Sequence, residues 1–279
     1  MYPFLQWLAL CGKCFSPHAE GRATATPGSP SGPASTNAGQ SDTCTTQDNN
    51  IQDPTEPPPS ASPHDASLEL REAMVEHQLA RRDIHCADVL QAMLTVTRHE
   101  FAPNHPLQDA YADKPLSIGH GQTISQPYIV ALMTQLARPA PEARALDIGT
   151  GSGYQAAVLA SLVHSVQSVE CIPALAAQAR RRLQRMGYAN INVHTGDGTK
   201  GWPERSPYDI IIAAAAPDRV PPALLEQLAP GGRLIIPIGV GRQFLMLYEK
   251  QADGMVVKSN IAQVAFVPMI GNGNGDSEL

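Results

Sequence analysis

The fold of this chain is decided by the stretch Asp147-Ile148-Gly149-Thr150-Gly151-Ser152-Gly153-Tyr154. Residues 145–148 predict a short buried strand, and residues 156–163 predict a helix. Glycines at alternate positions let the chain turn sharply and let a ligand lie against backbone N–H groups. The helix that follows presents unpaired N–H groups to the same ligand. The stretch therefore predicts a ligand-binding loop at the first strand-to-helix turn of a sheet.

Strands and helices alternate from this loop towards the end of the chain. The alternation predicts an α/β fold with a Rossmann-like, doubly wound parallel sheet of seven strands. The region before the first strand predicts an N-terminal helical cap, followed by a loop-rich segment at 101–126. The predicted strands are 145–148, 166–170, 191–194, 208–213, 233–237, 244–248 and 255–262, and the predicted helices are 68–82, 87–96, 127–137, 156–163, 174–186 and 222–228.

The 279 residues divide into three predicted parts. Residues 16–66 contain nine prolines and no aromatic residue, too little apolar surface to offset the entropy lost on ordering. We therefore expect residues 1–66 to be a disordered leader, 67–271 to be the folded domain and 272–279 to be a flexible tail. The apolar start, residues 1–10, has no basic residue before it and is too short to span a bilayer. We expect a cytoplasmic protein, with export through this segment as the alternative.

Charge and cysteine content exclude several classes of function. The formal net charge is −6, so a basic nucleic-acid interface is not expected, and we interpret the arginines at 180–185 as a solvated helix face. The five cysteines are odd in number and irregularly spaced, which favours a reducing compartment over a disulfide framework. The pair Cys11 and Cys14 has no second pair at zinc spacing. We expect no metal site, no nucleic-acid or membrane partner, and a monomer.

The glycine-rich loop leaves two cofactors to compare. A nicotinamide dinucleotide requires Gly-x-Gly-x-x-Gly. Counting from Gly149, the last glycine is replaced by Tyr154; counting from Gly151, it is replaced by Ala156, which that motif tolerates. The dinucleotide interpretation is therefore weakened and stays open at this point.

Acidic residues at the ends of the first three predicted strands favour a cationic cofactor. Asp147 lies within the first strand, Glu170 ends the second, and Asp197 follows the third. Because ligands of such sheets bind outside the carboxyl ends of the strands, these acids are expected to face the ligand. They suit a sulfonium such as S-adenosylmethionine and would repel a pyrophosphate. Glu170 is placed to bind a ribose diol, and Asp197, followed by Gly198, to reach an adenine amino group.

Several long motifs, in order, now carry a resemblance to a known family. They are Pro115-Leu116-Ser117-Ile118-Gly119-His120-Gly121-Gln122-Thr123-Ile124-Ser125-Gln126-Pro127, the glycine-rich loop, Gly196-Asp197-Gly198 with Gly201-Trp202-Pro203, and Pro230-Gly231-Gly232-Arg233-Leu234. The chain resembles the protein-L-isoaspartate O-methyltransferases, within the seven-stranded S-adenosylmethionine-dependent methyltransferases. The resemblance covers essentially the whole predicted domain, from about Met74 to Met269.

The resemblance implies an activity and a set of site residues. The activity is methyl transfer from S-adenosylmethionine to the free α-carboxylate of L-isoaspartyl residues in damaged proteins, which initiates their repair. Two departures border the expected pocket, Cys171 where the family often has arginine and a run of alanines at 213–216. The implied residues are Ser125 for catalysis, Thr123, Gln126, Asp147, Gly149, Gly151, Gly153, Glu170, Asp197 and Gly198 for the cofactor, and Ile124, Phe266, Val267 and Pro268 for the substrate.

The expected chemistry needs no general base. A substrate carboxylate with a pKa near 4 is already ionised at neutral pH. Ser125 would donate a hydrogen bond that positions it, and the alternative role for Ser125 is to cap the helix that begins near Pro127.

Three other functions remain as alternatives. They are a methyltransferase of the same fold with a different acceptor, a non-catalytic S-adenosylmethionine-binding protein, and a nicotinamide oxidoreductase. The Thr123-Ile124-Ser125 segment argues against the first, the intact cofactor positions against the second, and Tyr154 with the three acids against the third.

The choice of cofactor yields a direct prediction. Glu170→Ala should weaken S-adenosylmethionine binding by about 1–3 kcal/mol, the range for a hydrogen bond to a charged partner, and leave the unliganded fold nearly unchanged. Isothermal titration calorimetry measures the affinity. Unchanged affinity would remove Glu170 from the site, and tight binding of NAD to the wild type would overturn the methyltransferase interpretation.

Overall fold

The structure is a computed structural model that describes residues 63–271. Most of the predicted leader, the pair Cys11 and Cys14, and the predicted tail at 272–279 lie outside the described residues. Within 63–271, no helix is both long and apolar enough to cross a membrane.

A helical layer precedes the sheet, as expected. Its first helix begins at Pro63, five residues before the predicted helix start at Leu68. The Arg71 guanidinium in this helix donates to the carbonyl oxygens of Ser67, Leu94 and Thr95, and the Ser67 residue is only 3% exposed. The elements of this layer are α1 (Pro63–Ala73), a π-helical segment (Met74–Ala80), α2 (Ala87–Thr95), a 3₁₀ turn (Arg98–Phe101) and α3 (Leu107–Ala110).

The segment predicted as loops contains a β-hairpin. Strand β1 (Leu116–Gly119) pairs antiparallel with β2 (Gln122–Ile124). Gly119 ends β1, and His120 and Gly121 connect it to β2. The φ angles of these three residues are 86°, 54° and 68°, and the two glycines adopt this left-handed conformation without strain. The hairpin leads directly into helix α4 (Pro127–Ala137), whose bounds agree with the prediction.

The second sheet has seven strands, as predicted. Its order is β5-β4-β3-β6-β7-β8-β9, which places the first strand, β3, in the middle. Three 3₁₀ or α-helical turns also lie in this half, at Gly198–Lys200, Pro203–Arg205 and α7 (Pro222–Glu226). The elements are β3 (Arg144–Ile148), α5 (Tyr154–Ala160), β4 (Ser165–Glu170), α6 (Pro173–Arg185), β5 (Ile191–Thr195), β6 (Tyr208–Ala213), β7 (Leu228–Ile238), β8 (Gln243–Lys250) and β9 (Val256–Val264).

The sheet is only partly parallel, which corrects the prediction of a parallel sheet. Strands β3 to β7 run parallel, whereas β8 is antiparallel to β7 and β9 is antiparallel to β8. The connections at 239–242 and 251–255 are too short for a crossover helix, so each can only form a hairpin.

Both faces of the central strands are buried. In β6, Ile210, Ile211 and Ile212 are each at most 1% exposed, so the strand is apolar without alternation, as strands covered on both faces are. Helices α4, α5 and α6 pack against one face, on which Leu245 and Leu247 also lie, and α7 packs against the other. Because β5, β4, β3 and β6 are parallel neighbours, their carboxyl ends lie side by side at one edge of the sheet.

The contacts of α1 predict where the chain can be shortened. A chain that begins at Pro63 should keep the melting temperature of the full chain, whereas Arg71→Met should lower it. Loss of three hydrogen bonds from one buried guanidinium should cost at least about 1.5–3 kcal/mol, or roughly 3–10 °C for a domain of this size. Thermal unfolding followed by circular dichroism is the measurement. An unchanged melting temperature for Arg71→Met would show that α1 does not stabilise the domain.

Candidate active site

The glycine-rich loop runs across the carboxyl ends of β3 and β4. Gly149, Gly151 and Gly153 have φ angles of 86°, 51° and 92°, which L side chains rarely adopt. The N–H groups of Gly149 and Thr150 donate to the Val169 carbonyl oxygen, so the loop is tied to the neighbouring strand. Gly153 precedes α5, and the loop thus turns the chain from strand to helix within five residues.

Glu170 holds this loop from the end of β4. Its side chain accepts a hydrogen bond from the Gly151 N–H at 2.8 Å through Oε2 and one from the Ile172 N–H at 3.0 Å through Oε1. The residue is 4% exposed and lines a cavity beside the loop. A carboxylate with two fixed donors keeps one orientation, with its remaining lone pairs free for a ligand.

Asp147 lies beneath the loop and does not line the cavity, and its predicted role as a cofactor contact stays a prediction. It is fully buried; its Oδ2 accepts a hydrogen bond from the Ser168 hydroxyl at 2.6 Å, and Ser168 also contacts Thr150 at 2.6 Å. Its Oδ1 has no partner among the described residues. Burial raises the pKa of Asp147 to about 7, the Ser168 hydrogen bond opposes this, and the charge of Glu170 adds to it.

Two adjoining cavities open at this edge of the sheet. We call the first the loop cavity, because Gly149, Gly151, Glu170 and Gly198 line it, and the second the serine cavity, because Ser125 lines it. They enclose about 570 and 1050 Å³ of empty space, part of it open to solvent. Both are lined by Thr123, Ala214 and Val267, so ligands in the two cavities would meet there.

Ser125 faces the serine cavity and caps no helix. The residue at the N-cap position of α4 is Gln126, and its side chain makes no cap hydrogen bond. The first turn is instead capped from the preceding loop, where Asp113 Oδ1 accepts the Tyr128 N–H at 3.2 Å. No partner within 63–271 takes the Ser125 hydroxyl, so the capping alternative does not hold and the hydroxyl is available to a ligand.

Four other residues that were predicted to contact a ligand do not line the loop cavity, and their roles stay predictions. Gln126 lines the serine cavity instead of the cofactor side and donates to Asp113 Oδ2 at 2.7 Å. Ile124, predicted to contact substrate, is 3% exposed and packs in the core, because its position in β2 points inward. Gly153 and Asp197 do not line the loop cavity. Asp197 Oδ1 accepts from the Thr199 N–H and hydroxyl and so shapes the turn that presents Gly198.

The segment from Phe266 to Pro268 forms the wall that the two cavities share. Phe266 and Val267 line the serine cavity, and Val267 and Pro268 line the loop cavity; their predicted role near the substrate stays a prediction. The wall is held by two hydrogen bonds to Ala216, from its N–H to the Val267 oxygen and from the Met269 N–H to its oxygen. The alanine run therefore acts through its backbone.

Sequence reasoning missed the side chains that hold these walls. Gln243 hydrogen-bonds both the N–H and the carbonyl oxygen of Phe266, and Gln227 does the same across Lys200 and Trp202. Neither glutamine belongs to a local motif, and no spacing signal could have found them. Cys171 also lines the loop cavity, and burial together with the nearby Glu170 charge raises the pKa of its thiol.

The residues that the structure describes at the site include no group of metal ligands and no histidine or lysine that could act as a base. No group of three or more His, Cys, Asp or Glu that could hold a metal occurs in the part of the chain that the structure describes. No histidine or lysine lines either cavity within that part. His99 contacts the Tyr111 hydroxyl and His105 the Ser117 carbonyl oxygen, both away from Ser125.

Comparison with known proteins assigns this arrangement to a family. The family model of the protein-L-isoaspartate(D-aspartate) O-methyltransferases matches residues 69–274. The chain belongs to this family. A relative, protein-L-isoaspartate O-methyltransferase 2 of Polaromonas sp. strain JS666, is 54% identical over 185 residues, which are 66% of this chain and 88% of that protein.

Solved structures agree in fold. A protein-L-isoaspartate O-methyltransferase superposes with a TM-score of 0.65 at 32% identity, covering 73% of this chain and 66% of that one. A Plasmodium falciparum chain assigned to the same enzymes was solved in complex with S-adenosyl-L-homocysteine; it superposes with a TM-score of 0.63 at 26% identity, covering 74% of this chain and 99% of that one. The fold is that of the S-adenosylmethionine-dependent methyltransferases.

The buried carboxyl of Asp147 predicts a pH-dependent stability. Its folded pKa is about 7 and its unfolded pKa is near 4, so its contribution to stability is present below about pH 4 and is lost as the pH rises through 7. Asp147→Asn has no carboxyl to ionise, so the variant does not lose stability in this way as the pH rises. The stability of the variant relative to the wild type should therefore rise by up to about 2.6 kcal/mol between pH 5 and 8, out of about 4 kcal/mol over the whole titration.

Urea unfolding of the unliganded protein at several pH values measures this difference. Asp218→Asn, which removes a carboxylate 60% exposed to solvent, is the control. A difference between Asp147→Asn and the wild type that does not change with pH would show that Asp147 is ionised throughout.

Proposed function

We propose that the two cavities form one active site that transfers the methyl group of S-adenosylmethionine to the α-carboxylate of L-isoaspartyl residues. The observation that carries the proposal is the position of Ser125, unpartnered within 63–271, in a cavity that adjoins the glycine loop at Thr123, Ala214 and Val267. Membership of the protein-L-isoaspartate O-methyltransferase family supplies the reaction. The product ester begins the repair of the damaged residue.

The loop cavity fits a cationic adenosyl cofactor. Glu170 contributes a fixed carboxylate suited to a ribose diol, and the glycines let the ligand lie against the loop backbone. A Cβ at Gly198 would lie 2.6 Å from the Ile148 side chain, so this wall admits no side chain. The unpartnered Asp147 Oδ1 also lies below the loop, and its carboxyl carries a negative charge only as the pH rises through about 7. When bound, S-adenosylmethionine supplies an electrophilic methyl group on a sulfonium.

The serine cavity fits a carboxylate nucleophile that must not be held too strongly. Its lining within the described residues contains the polar residues Thr123, Ser125, Gln126 and Gln263 and apolar side chains, with no charged group. A basic residue there would stabilise the carboxylate before reaction more than in the transition state, where its charge is dispersing. A hydrogen bond from the Ser125 hydroxyl orients the carboxylate at a smaller cost in nucleophilicity. Alignment of the reacting atoms then supplies most of the rate.

The step is balanced without a protein proton. S-adenosylmethionine held beside Glu170 and the glycine loop would supply the methyl group; a carboxylate oxygen positioned by Ser125 would bond to the methyl carbon as the carbon–sulfur bond breaks, with its electron pair left on sulfur. Anion and cation become a neutral methyl ester and a neutral thioether. The backbone nitrogen of the next residue then attacks the ester carbonyl carbon, and methanol leaves with the N–H proton. The succinimide that forms hydrolyses in part to normal aspartate.

We propose further that the chain acts as a monomer in the cytoplasm. Residues of one chain line both cavities. The odd, irregular set of five cysteines suits a reducing compartment. Substrate selection through a carboxylate gives no role to nucleic acid or membrane.

A pair of peptides tests the proposed reaction. One carries a single isoaspartyl residue and the other carries normal aspartate at the same position. With isotopically labelled S-adenosylmethionine, only the isoaspartyl peptide should gain label, and kcat/KM should differ by at least about 100-fold. Equal labelling of both peptides, or of neither, would reject the proposed function.

Ser125→Ala tests the role of the serine. Loss of the aligning hydrogen bond should lower kcat on the order of 100-fold and leave S-adenosylmethionine affinity nearly intact, because Ser125 does not line the loop cavity. The pH profile should keep its shape, since no protein proton moves. A fully active variant would remove Ser125 from the mechanism, and a methylated Ser125 that turns over, seen by mass spectrometry, would contradict direct transfer.

A further inference from the structure

The wall of the serine cavity lies beyond the last backbone residue pair of the β8–β9 ladder. The β8–β9 ladder ends with Gln243 paired to Val264, and β9 ends there too. Phe266, two residues later, lines the cavity with no strand beside it. An extended segment with unpaired N–H and C=O groups would ordinarily hydrate and move.

A side chain makes the two hydrogen bonds to Phe266 that the backbone of a neighbouring strand would otherwise make. Gln243 Oε1 accepts the Phe266 N–H at 2.6 Å, and Gln243 Nε2 donates to the Phe266 carbonyl oxygen at 3.0 Å. The two bonds of one planar amide mimic a backbone pair and fix both the position and the rotation of the Phe266 peptide groups. Gln243 itself lines neither cavity.

The part of the wall that faces the cofactor is held separately. Val267 and Met269 hydrogen-bond to the backbone of Ala216, which no side-chain substitution at Gln243 removes. Loss of the Gln243 amide would therefore release Phe266 and leave Val267 and Pro268 in place. The walls of the two cavities are therefore held by different hydrogen bonds.

We propose that Gln243 is a positioning residue that sets the substrate wall of the serine cavity and so determines binding of the isoaspartyl peptide, independently of the cofactor. The inference rests on the proposed function. Gln243 contacts neither reactant, and its effect passes through Phe266. The chain offers a matched control in Gln227, 7% exposed, whose amide accepts the Trp202 N–H and donates to the Lys200 carbonyl oxygen, both at 2.8 Å. That clamp holds the turn after Gly198, on the cofactor side.

Gln243→Met and Gln227→Met keep the length of the side chain and remove the amide. Gln243→Met should raise the KM for an isoaspartyl peptide about tenfold or more, with kcat changed less than about threefold and the Kd for S-adenosylhomocysteine within about twofold of wild type. Gln227→Met should do the reverse, weakening the cofactor analogue about tenfold and sparing the peptide KM. Steady-state kinetics and calorimetry provide the values.

Gln243→Glu keeps an acceptor for the Phe266 N–H but places a carboxylate oxygen against the Phe266 carbonyl oxygen, so its peptide KM should rise at least as much as that of Gln243→Met. It also serves if Gln243→Met does not fold. A Gln243 variant with wild-type peptide KM, or one that loses peptide and cofactor affinity to the same extent, would overturn the positioning role. A wild-type chain inert towards the peptide would instead reject the proposed function, and this inference with it.

Discussion

The hydrogen bond from the Gly151 N–H to the Glu170 carboxylate is the interaction on which the site depends. It joins the loop after β3 to the end of β4, and the other oxygen of the same carboxylate holds the Ile172 N–H at the start of α6. Three left-handed glycines let the loop pass close enough for this bond to form. The carboxylate is thereby oriented before any ligand arrives, which lowers the ordering cost of binding.

Charge is divided between the two cavities in a way that suits the joining of a cation and an anion. Glu170 lines the loop cavity, and the buried Asp147 lies beneath it. The serine cavity has no charged lining residue within 63–271. The cofactor is attracted to its cavity by charge, whereas the acceptor carboxylate is selected by hydrogen bonding and shape. A carboxylate held by neutral donors keeps its nucleophilicity, so the division favours transfer over tight ground-state binding.

Local motifs predicted the parts of the site that depend on a few adjacent residues. The glycine loop, Glu170 at a strand end and Ser125 ahead of Pro127 all lie where the pattern placed them relative to the sheet. Asp147 does not line the loop cavity; it lies in a strand whose two faces are both buried, which hid the alternation that decides the face to which a residue points. The inward position of Ile124 depends on a hairpin that was not predicted.

The walls could not be predicted because they rest on contacts distant in sequence. Gln243 holds Phe266 across 23 residues, and Gln227 holds Trp202 across 25. Amide side chains carry no periodic or spacing signal for such bonds. The antiparallel end of the sheet, with β8 and β9, is what brings Gln243 to the cavity, and strand direction there follows from connection length and not from strand composition.

A crystal structure of the ternary complex with S-adenosylhomocysteine and an isoaspartyl peptide tests the central claim most directly, that the two cavities form one active site. The account predicts the thioether sulfur in the loop cavity near Thr123 and the isoaspartyl α-carboxylate on the Ser125 hydroxyl. One carboxylate oxygen should lie in line with the sulfur, with space for a single methyl group between them. A peptide bound away from Ser125, or a cofactor sulfur facing away from the serine cavity, would contradict it.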